Sequence, residues 1–410
     1  MKNTKKIVAV VLAVILVVAG VFVACTKNTE DNAATDAPET TAAVKVGFIF
    51  LHDENSTYDL NFLNAAKEAC EELGVDYVLK TNIPEGNECY EAAADLVDQG
   101  CNIVFADSFG HEDFMIQAAK EFPDVEFCHD TGTKAHTEGL ANFHNAFASI
   151  YEGRYLAGVA AGLKLNEIKE AGNLKGEVPK MGYVGAYTYA EVISGYTSFY
   201  RGAKSVCPDG VMDVKVTGSG YDETAEKEAA QALIDSGCDL ISQHADSMGA
   251  PTACENAGIP DVSYNGSTKD ACPNTFIVSS RINWAPYFKY IVECVQKGEA
   301  IDADWTGTIA TGSVELTEVN EQAAAEGTQA KIDEVKAQLE AGEIHVFDTA
   351  TFTVAGAALG EDHLADVDTD EAFTPETNVV SDGYFHESEK RSAPYFDVQI
   401  DGITLLNTAF

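Results

Sequence analysis

Positive charge is scarce in this chain, which has 26 lysine and arginine residues against 66 aspartate and glutamate residues and a formal net charge of −40. Such an acidic surface repels nucleic acid and anionic lipid headgroups, so neither is an expected partner. The chain also lacks a Walker A loop, an H-E-x-x-H helix and a G-x-S-x-G elbow. These are sequence signatures of ATPases, zinc proteases and serine hydrolases. We therefore expect a protein that is not an enzyme and holds no cofactor.

No C-x-x-C pair occurs among the ten cysteines. Setting aside Cys25 leaves an odd number, and several of these fall in helix or strand patterns beside apolar residues, as small core residues do. We expect mostly free, buried thiols, with one or two disulfides left open. His129, His136 and His144 lie on one segment, but their spacing matches no standard zinc pattern. No metal site is expected.

One long apolar run is present, over residues 7–24, and it follows three lysines within the first six residues. A basic start, an apolar middle and a small residue before a processing site are typical of a signal peptide, although a run of this length could also span a membrane. The residues before Cys25 resemble the lipobox of bacterial lipoproteins. We predict a signal peptide over 1–24, then the lipid-modified Cys25 and a flexible tether over 25–43.

One stretch of the sequence occurs twice, over residues 93–110 and 229–249. Each copy reads as an amphipathic helix that stops at a glycine, Gly100 or Gly237, and continues through a cysteine into a short apolar strand. Each ends in Ala-Asp-Ser-x-Gly. The upstream strands repeat at nearly the same distance. A repeat of this size predicts two α/β lobes of similar design.

Alternation of strands and helices along both copies predicts parallel, doubly wound sheets. The pattern breaks over 143–149, which suggests a crossover between the lobes. Residues 190–206 and 285–297 read as helices, and 322–341 reads as a charged helix. Residues 345–410 are an extension with β character, predicted to form strands at 351–354 and 398–400 in a short sheet of their own or as a patch on one lobe. The predicted boundaries are 45–144 and 284–303 for lobe 1, 145–283 and 304–344 for lobe 2, and crossovers near 145, 283 and 304.

Ligands of parallel sheets bind beyond the carboxyl ends of the strands. A flat polar ligand needs aromatic faces and a few polar edges there. The candidate ligand-binding residues are Tyr58, Asp59, Ser108, Phe109, Tyr187, Glu191, His244, Asp246, Asn265, Asn283 and Trp284. Alternatives remain for several of them: Phe109 and Tyr187 as core aromatics, Trp284 as a wedge at a hinge, and Asp246 as a helix cap. Asp107, which also follows a strand, is interpreted first as a helix cap.

Several segments resemble the basic membrane protein family of bacterial substrate-binding lipoproteins, which includes the purine nucleoside receptors. The resemblance covers nearly the whole mature chain. The segments that carry it are YLAGVAAGL from Tyr155, ETAEKEAA from Glu223, QHADS from Gln243, INWAPY from Ile282 and SDGYFHESEKRSAPYF from Ser381, the last looking like a subgroup signature.

The resemblance implies a type I periplasmic-binding fold, with two Rossmann-like lobes, three crossovers and hinge closure on the ligand. In the family's nucleoside receptors, a phenylalanine in a run after the first strand stacks on the base. The equivalent run here, Asn55-Ser-Thr57-Tyr58-Asp59, keeps an aromatic face in Tyr58 and offers acceptors in Asp59. Amino or imino donors on the ligand would suit that carboxylate.

The resemblance also implies a function: a monomeric, lipid-anchored receptor on the outer face of a bacterial membrane, which delivers its ligand to a separate ABC permease and ATPase. A purine nucleoside or purine base is the expected ligand. Riboflavin or another small solute, and a surface sensor that is not coupled to transport, stay open as alternatives.

Overall fold

The computed structural model describes residues 43–367 and 375–410. The signal peptide, the lipid-modified Cys25 and nearly all of the tether fall on residues 1–42, outside the described residues. Among the residues that are described, no helix is both long and apolar enough to cross a membrane.

The repeated segments fold as equivalent helix–strand pairs. The glycine that ends each helix has a φ of +87° or +91°, in the left-handed region that glycine enters at low cost. Gly47 and Gly182, in the upstream strands, face these helices. A Cβ added there would stand 2.8 Å from Leu96 Cδ1 or 2.9 Å from Leu233 Cβ. The constant spacing therefore reflects the same tight strand–helix contact in both lobes.

Six strands form the lobe 1 sheet: β1 (Lys45–Ile49), β2 (Asp76–Lys80), β3 (Ile103–Ala106), β4 (Glu126–Asp130), β5 (Phe143–Ala148) and β11 (Asp304–Gly307). They lie in the order β11-β5-β4-β3-β1-β2, and all neighbouring pairs are parallel. Its four inner strands, β1, β3, β4 and β5, are buried on both faces, as the strands of parallel sheets usually are.

Seven strands form the lobe 2 sheet: β6 (Lys180–Gly185), β7 (Val211–Val216), β8 (Leu240–His244), β9 (Asp261–Tyr264), β10 (Phe276–Ile282), β12 (Val314–Leu316) and β17 (Ile403–Leu405). Their order is β12-β10-β9-β8-β6-β7-β17. The edge strand β12 is antiparallel to β10, and the other pairs are parallel.

The described helices are α1 (Thr57–Leu73), α2 (Asn87–Asp98), α3 (Glu112–Glu121), α4 (Ala135–Glu138), α5 (Ile150–Glu170), α6 (Ala190–Val206), α7 (Glu223–Asp235), α8 (Gly249–Ala257), α9 (Ala285–Lys297) and α10 (Thr328–Glu340). Predictions for α6 and α9 match their observed bounds. The helix predicted over 322–341 begins at Thr328, because Gly327 before it has a φ of +79°.

Strand pairing places the three crossovers after residues 148, 282 and 307. Residues 143–149 were interpreted as a break, but most of them form β5, and 304–307 form β11; both strands pair in the lobe 1 sheet. Lobe 1 therefore extends a few residues further than predicted at the first and third crossovers.

The C-terminal extension is partly built into lobe 2. It contributes two small antiparallel pairs, β13 (Leu364–Ala365) with β14 (Thr377–Asn378) and β15 (Val380–Ser381) with β16 (Tyr384–Phe385), and then β17 of the main sheet. The strands predicted at 351–354 and 398–400 are wrong. Val398 and Ile400 are buried, but they pack through side chains, and the strand forms a few residues later.

All nine described cysteines are free and buried. The prediction of mostly free core thiols is confirmed for this part of the chain.

Candidate functional site

The carboxyl ends of the two sheets meet, and the loops that follow the strands contact each other. The N–H and the Oγ1 of Thr57 in lobe 1 both donate to the backbone oxygen of Asp246 in lobe 2, each over 3.1 Å. The rings of His52 and Tyr221 lie 5.2 Å apart across the same boundary. The lobes are therefore in a closed arrangement, with the candidate site between them.

Tyr58 is the centre of the lobe 1 side of this site. Its hydroxyl lies 2.6 Å from the backbone oxygen of Asp107 and 2.5 Å from Oδ2 of Asp130. Its ring packs edge-on against Phe62, with centroids 4.9 Å apart. One hydroxyl hydrogen faces two acceptors, so a proton on the Asp130 carboxyl would complete both contacts.

Burial favours that proton. Both Asp107 and Asp130 are 0% exposed. Burial raises the pKa of Asp130 well above its usual range, and burial with the nearby charge of Asp59 does the same for the pKa of Asp107. Asp107 Oδ1 accepts from the N–H of Leu51 at 3.0 Å. The Asp107 side chain also lies within hydrogen-bond reach of the Asp59 carboxyl, whereas Asp130 Oδ1 has no hydrogen-bond partner among the described residues and is the oxygen left for a ligand.

Asp59 differs from Asp130, because both of its carboxylate oxygens already contact His52. Oδ1 accepts from the N–H of His52 at 2.7 Å, and Oδ2 lies 3.3 Å from His52 Nδ1. Burial raises the pKa of Asp59, but hydrogen bonds from His52 and Ser56 outweigh it and bring the pKa below its usual range. The same bond raises the pKa of His52. The structure therefore gives Asp59 an internal partner, His52, at the edge of the site.

Four predicted residues come together on the lobe 2 side. Asn265 donates through Nδ2 to Asp246 Oδ1 at 3.3 Å, and His244 Nε2 lies 3.3 Å from Glu191 Oε1. His244 also packs on Tyr264, with ring centroids 4.3 Å apart. Burial lowers the pKa of His244 despite the bond to Glu191, and burial with nearby acidic groups raises the pKa of Asp246 well above its usual range.

Ser108, Phe109 and Tyr187 lie at the rim. Ser108 is buried and donates to Glu85 Oε1 at 2.5 Å. Phe109 is 61% exposed, so its interpretation as a core aromatic is wrong. Tyr187 stacks on Tyr189 with centroids 5.0 Å apart and an interplanar angle of 13°.

Asn283 and Trp284 are not brought into this cluster. Trp284 is 1% exposed and stacks on Phe62 at 4.6 Å within the aromatic core. Asn283 accepts from the N–H of Ala285 and donates to Glu315 at the second crossover. Trp284 has no free surface for a ligand here, and the alternative of a packing role at a hinge fits it; the Asn283 amide is engaged at the crossover.

Asp107 and Asp246 do not cap helices. Asp107 is bonded to the backbone after β1, and the helices that follow the two aspartates have no side-chain cap, their N-cap residues being His111 and Met248. The capping interpretation is therefore wrong for both.

Four residues of the candidate site were not among the predicted ligand contacts: Asp107, which was interpreted first as a helix cap, and Asp130, Tyr221 and Tyr264. Asp130 and Tyr264 end β4 and β9 at the ligand edge, so the rule that selected Asp246 would also have selected these two. Tyr221 lies in a glycine-rich loop, where the sequence gives no comparable signal.

Arg154 was also missed, because it lies inside the small-residue helix α5. It is fully buried and donates to Tyr183 Oη at 2.9 Å, Ser242 Oγ at 2.8 Å and Ser280 Oγ at 3.1 Å. These partners lie on three strands of lobe 2. Arg154 therefore supports the sheet beneath the site and sets a positive charge behind its acidic residues.

In the described part of the chain, no group of three or more histidine, cysteine or acidic side chains could hold a metal ion. Of the three histidines weighed as ligands, His129 contacts the backbone oxygen of Ser108 and His144 contacts Glu126. Both act as structural groups.

Comparison with known proteins identifies the family. Residues 48–348 match the family described as ABC transporter substrate-binding protein, PnrA-like. The chain belongs to this family. A purine-binding protein of Brucella abortus is 31% identical over 313 residues, which cover 74% of this chain and 83% of that protein. An ABC transporter protein of Haloferax volcanii named for glucose binding is 30% identical over 258 residues, which cover 63% of this chain and 60% of that protein.

The fold of this PnrA-like protein is shared with solved solute-binding proteins. An ABC transporter solute-binding protein from Conexibacter woesei superposes with a TM-score of 0.62 at 21% identity, covering 74% of this chain and 98% of that one. Together with the two parallel sheets, this confirms the type I periplasmic-binding fold. The chain is thus an extracytoplasmic substrate-binding protein of an ABC transporter, from a family that binds small molecules.

Proposed function

We propose that this protein is the receptor of an ABC importer for a purine nucleoside or a purine base. It is held at the outer face of the membrane through a lipid on Cys25, acts as a monomer and passes its ligand to a permease and its ATPase. The 31% identity with a purine-binding relative over most of both chains supports this choice. Riboflavin, or a sensory role without transport, would use the same fold.

The observation that carries the proposal is the acceptor-rich cleft. Asp130 in lobe 1 presents a buried carboxyl oxygen without a partner among the described residues, and Asp246 of lobe 2 contacts lobe 1 through Thr57. Such groups match a ligand with amino, imino or hydroxyl donors on more than one edge. Tyr58, fixed by two contacts of its hydroxyl, supplies an aromatic face for a flat ring.

The charge of the site favours a neutral ligand. Burial, together with nearby acidic groups that include Asp59 and Glu191, raises the pKa of the Asp107, Asp130 and Asp246 carboxyls. A phosphate would add negative charge to this cluster and would meet few donors. Nucleosides and bases are therefore favoured over nucleotides and sugar phosphates.

A thermal-shift and calorimetry panel on residues 26–410, freed of ligand by unfolding and refolding, tests the proposal. The panel contains adenine, guanine, hypoxanthine, adenosine, guanosine, inosine, riboflavin and glucose. A ligand at about a hundred times its Kd stabilises the native state by about 2.7 kcal/mol, which a melting curve detects. A selective response to purines is expected. A response to riboflavin or glucose alone would reject the purine assignment and keep the receptor.

Asp130→Asn then tests whether the ligand binds in the cleft, because it removes a carboxyl group that contacts Tyr58 but keeps the shape of the side chain. We expect the affinity to fall about tenfold, as for the loss of one strong hydrogen bond. Asp124→Asn is the matched control, with the same substitution at an exposed position of lobe 1. Equal affinities in both variants would place the ligand elsewhere.

A further inference from the structure

The residues that follow β17 reach the same edge of lobe 2 as the candidate ligand site. β17 pairs with β7 in parallel, with Ile403 opposite Met212 and Leu405 opposite Val214. β7 is in turn parallel to β6. Because the three strands run in one direction, the chain leaves β17 where β6 and β7 end, and ligands bind at that edge. This part of the chain lies outside the family match, which stops at residue 348.

Residues 407–410, here called the tail, are fastened to that edge by four hydrogen bonds. The side chain of Asn407 accepts from the N–H of Val216 at 2.9 Å and donates to its oxygen at 2.8 Å. The backbone oxygen of Ala409 accepts from the N–H of Thr188 at 2.7 Å, and the N–H of Ala409 donates to Thr188 Oγ1 at 3.0 Å. The tail thus continues the pairing beyond the end of β17.

Thr188 is the middle of the loop that carries candidate ligand groups. It is 9% exposed and lies between Tyr187 and Tyr189, whose rings stack on each other. Helix α6 begins two residues later, and Glu191 in its first turn contacts His244. A shift of Thr188 would therefore move an aromatic face and an acidic group of the site together.

The tail supplies the hydrogen-bond partners that hold this loop in place. The amide and the hydroxyl of Thr188 are both bonded to Ala409, and a buried backbone N–H without an acceptor is costly. Phe410, beyond Ala409, is 81% exposed, and Tyr189 is 46% exposed. The tail therefore acts on the loop through its backbone.

We propose that the tail is a positioning part of the ligand site: it holds the loop of residues 186–189 so that Tyr187 and Glu191 keep their places at the cleft. The inference rests on the proposed function, because these two residues are candidate ligand contacts. It adds a specificity-determining segment from outside the family match.

Ala409→Pro in the chain of residues 26–410 tests the inference, since proline removes the N–H that Thr188 Oγ1 accepts. Asn407→Ala is the second variant, and Leu406→Ser, 49% exposed on the same segment, is the matched control. Hydrogen exchange of the Thr188 amide is measured without ligand, and calorimetry gives the Kd for the tightest purine of the panel. We expect faster exchange at Thr188 and about fivefold weaker binding in the two tail variants, with the control unchanged.

Unchanged exchange at Thr188 in both tail variants would overturn the inference, whatever the ligand. Faster exchange with an unchanged Kd would overturn it too, because the loop would then be held without serving the site. Failure of the proposed function is seen separately, as an absence of purine binding by the unmodified chain. In that case the exchange rate still decides whether the tail holds the loop.

Discussion

The contact between Thr57 and Asp246 joins the lobes only when the cleft is closed, so its removal should act on closure and hence on affinity. Thr57 is 9% exposed at the start of α1, and both its N–H and its Oγ1 donate to the Asp246 oxygen at 3.1 Å. Thr57→Val removes the hydroxyl but keeps the N–H and the shape of the side chain. Thr57→Ser keeps the hydroxyl.

The expected loss of affinity follows from the removal of one neutral hydrogen bond, which contributes about 1 kcal/mol net. Because the acceptor keeps its bond to the Thr57 N–H, the valine leaves no oxygen without a partner, and the loss should stay near this value. A contact that exists only in the closed state changes the closing equilibrium by its full free energy. We therefore expect the Kd of Thr57→Val to rise about fivefold.

Calorimetry with the tightest purine of the panel measures this effect, and urea unfolding without ligand checks the fold. Thr57→Ser should bind within about twofold of the unmodified protein, since its hydroxyl still reaches the Asp246 oxygen. The reasoning is refuted if Thr57→Val binds as tightly as the unmodified protein, or if the serine variant loses as much affinity as the valine variant.

Three further predictions concern the folded state. Burial raises the pKa of Glu387 to about 8, so the folded state keeps a proton that the unfolded carboxyl loses near pH 4.3. Because of this carboxyl, the free energy of unfolding should fall by about 3 kcal/mol between pH 5 and pH 8. Glu387→Gln should remove that fall, as measured by urea unfolding. Trp284→Ala should destabilise the protein by about 3–5 kcal/mol in thermal or urea unfolding, because it empties a core position; a stable variant with weak binding would instead restore Trp284 to the ligand site. A thiol reagent should find no reactive cysteine in native residues 26–410 and nine after unfolding; any native reaction would contradict the burial of these thiols.

The part of the fold that follows local rules could be predicted from the sequence. The bounds of α6 and α9 are set by apolar periodicity and by flanking turns, which are local signals. The duplication was visible because Gly47 and Gly182 are fixed by the same contact, with Leu96 and Leu233 above them. The choice of acidic and aromatic residues that follow predicted strands identified residues on both sides of the cleft.

What the sequence did not show depends on long-range pairing. β11 was missed because its partner, β5, is distant in the chain, and β17 pairs with a strand almost two hundred residues earlier. Trp284 follows a strand, as a ligand residue would, yet the packing of Phe62 against it decides its role. Asp59 looked free to bind until the fold placed His52 beside it.

The acidic cleft explains why closure would depend on the ligand. Glu191 of lobe 2 acts on Asp130 of lobe 1, and Asp59 of lobe 1 acts on Asp246 of lobe 2, so closing the lobes brings like charges together and removes them from water. Protons on the carboxyls with raised pKa relieve part of this cost. A neutral ligand with donors on several edges relieves more of it, and only in the closed state, which is the differential contact that closure requires. An anionic ligand would increase the same repulsion, so a site that takes a nucleoside, as proposed, should reject the corresponding nucleotides.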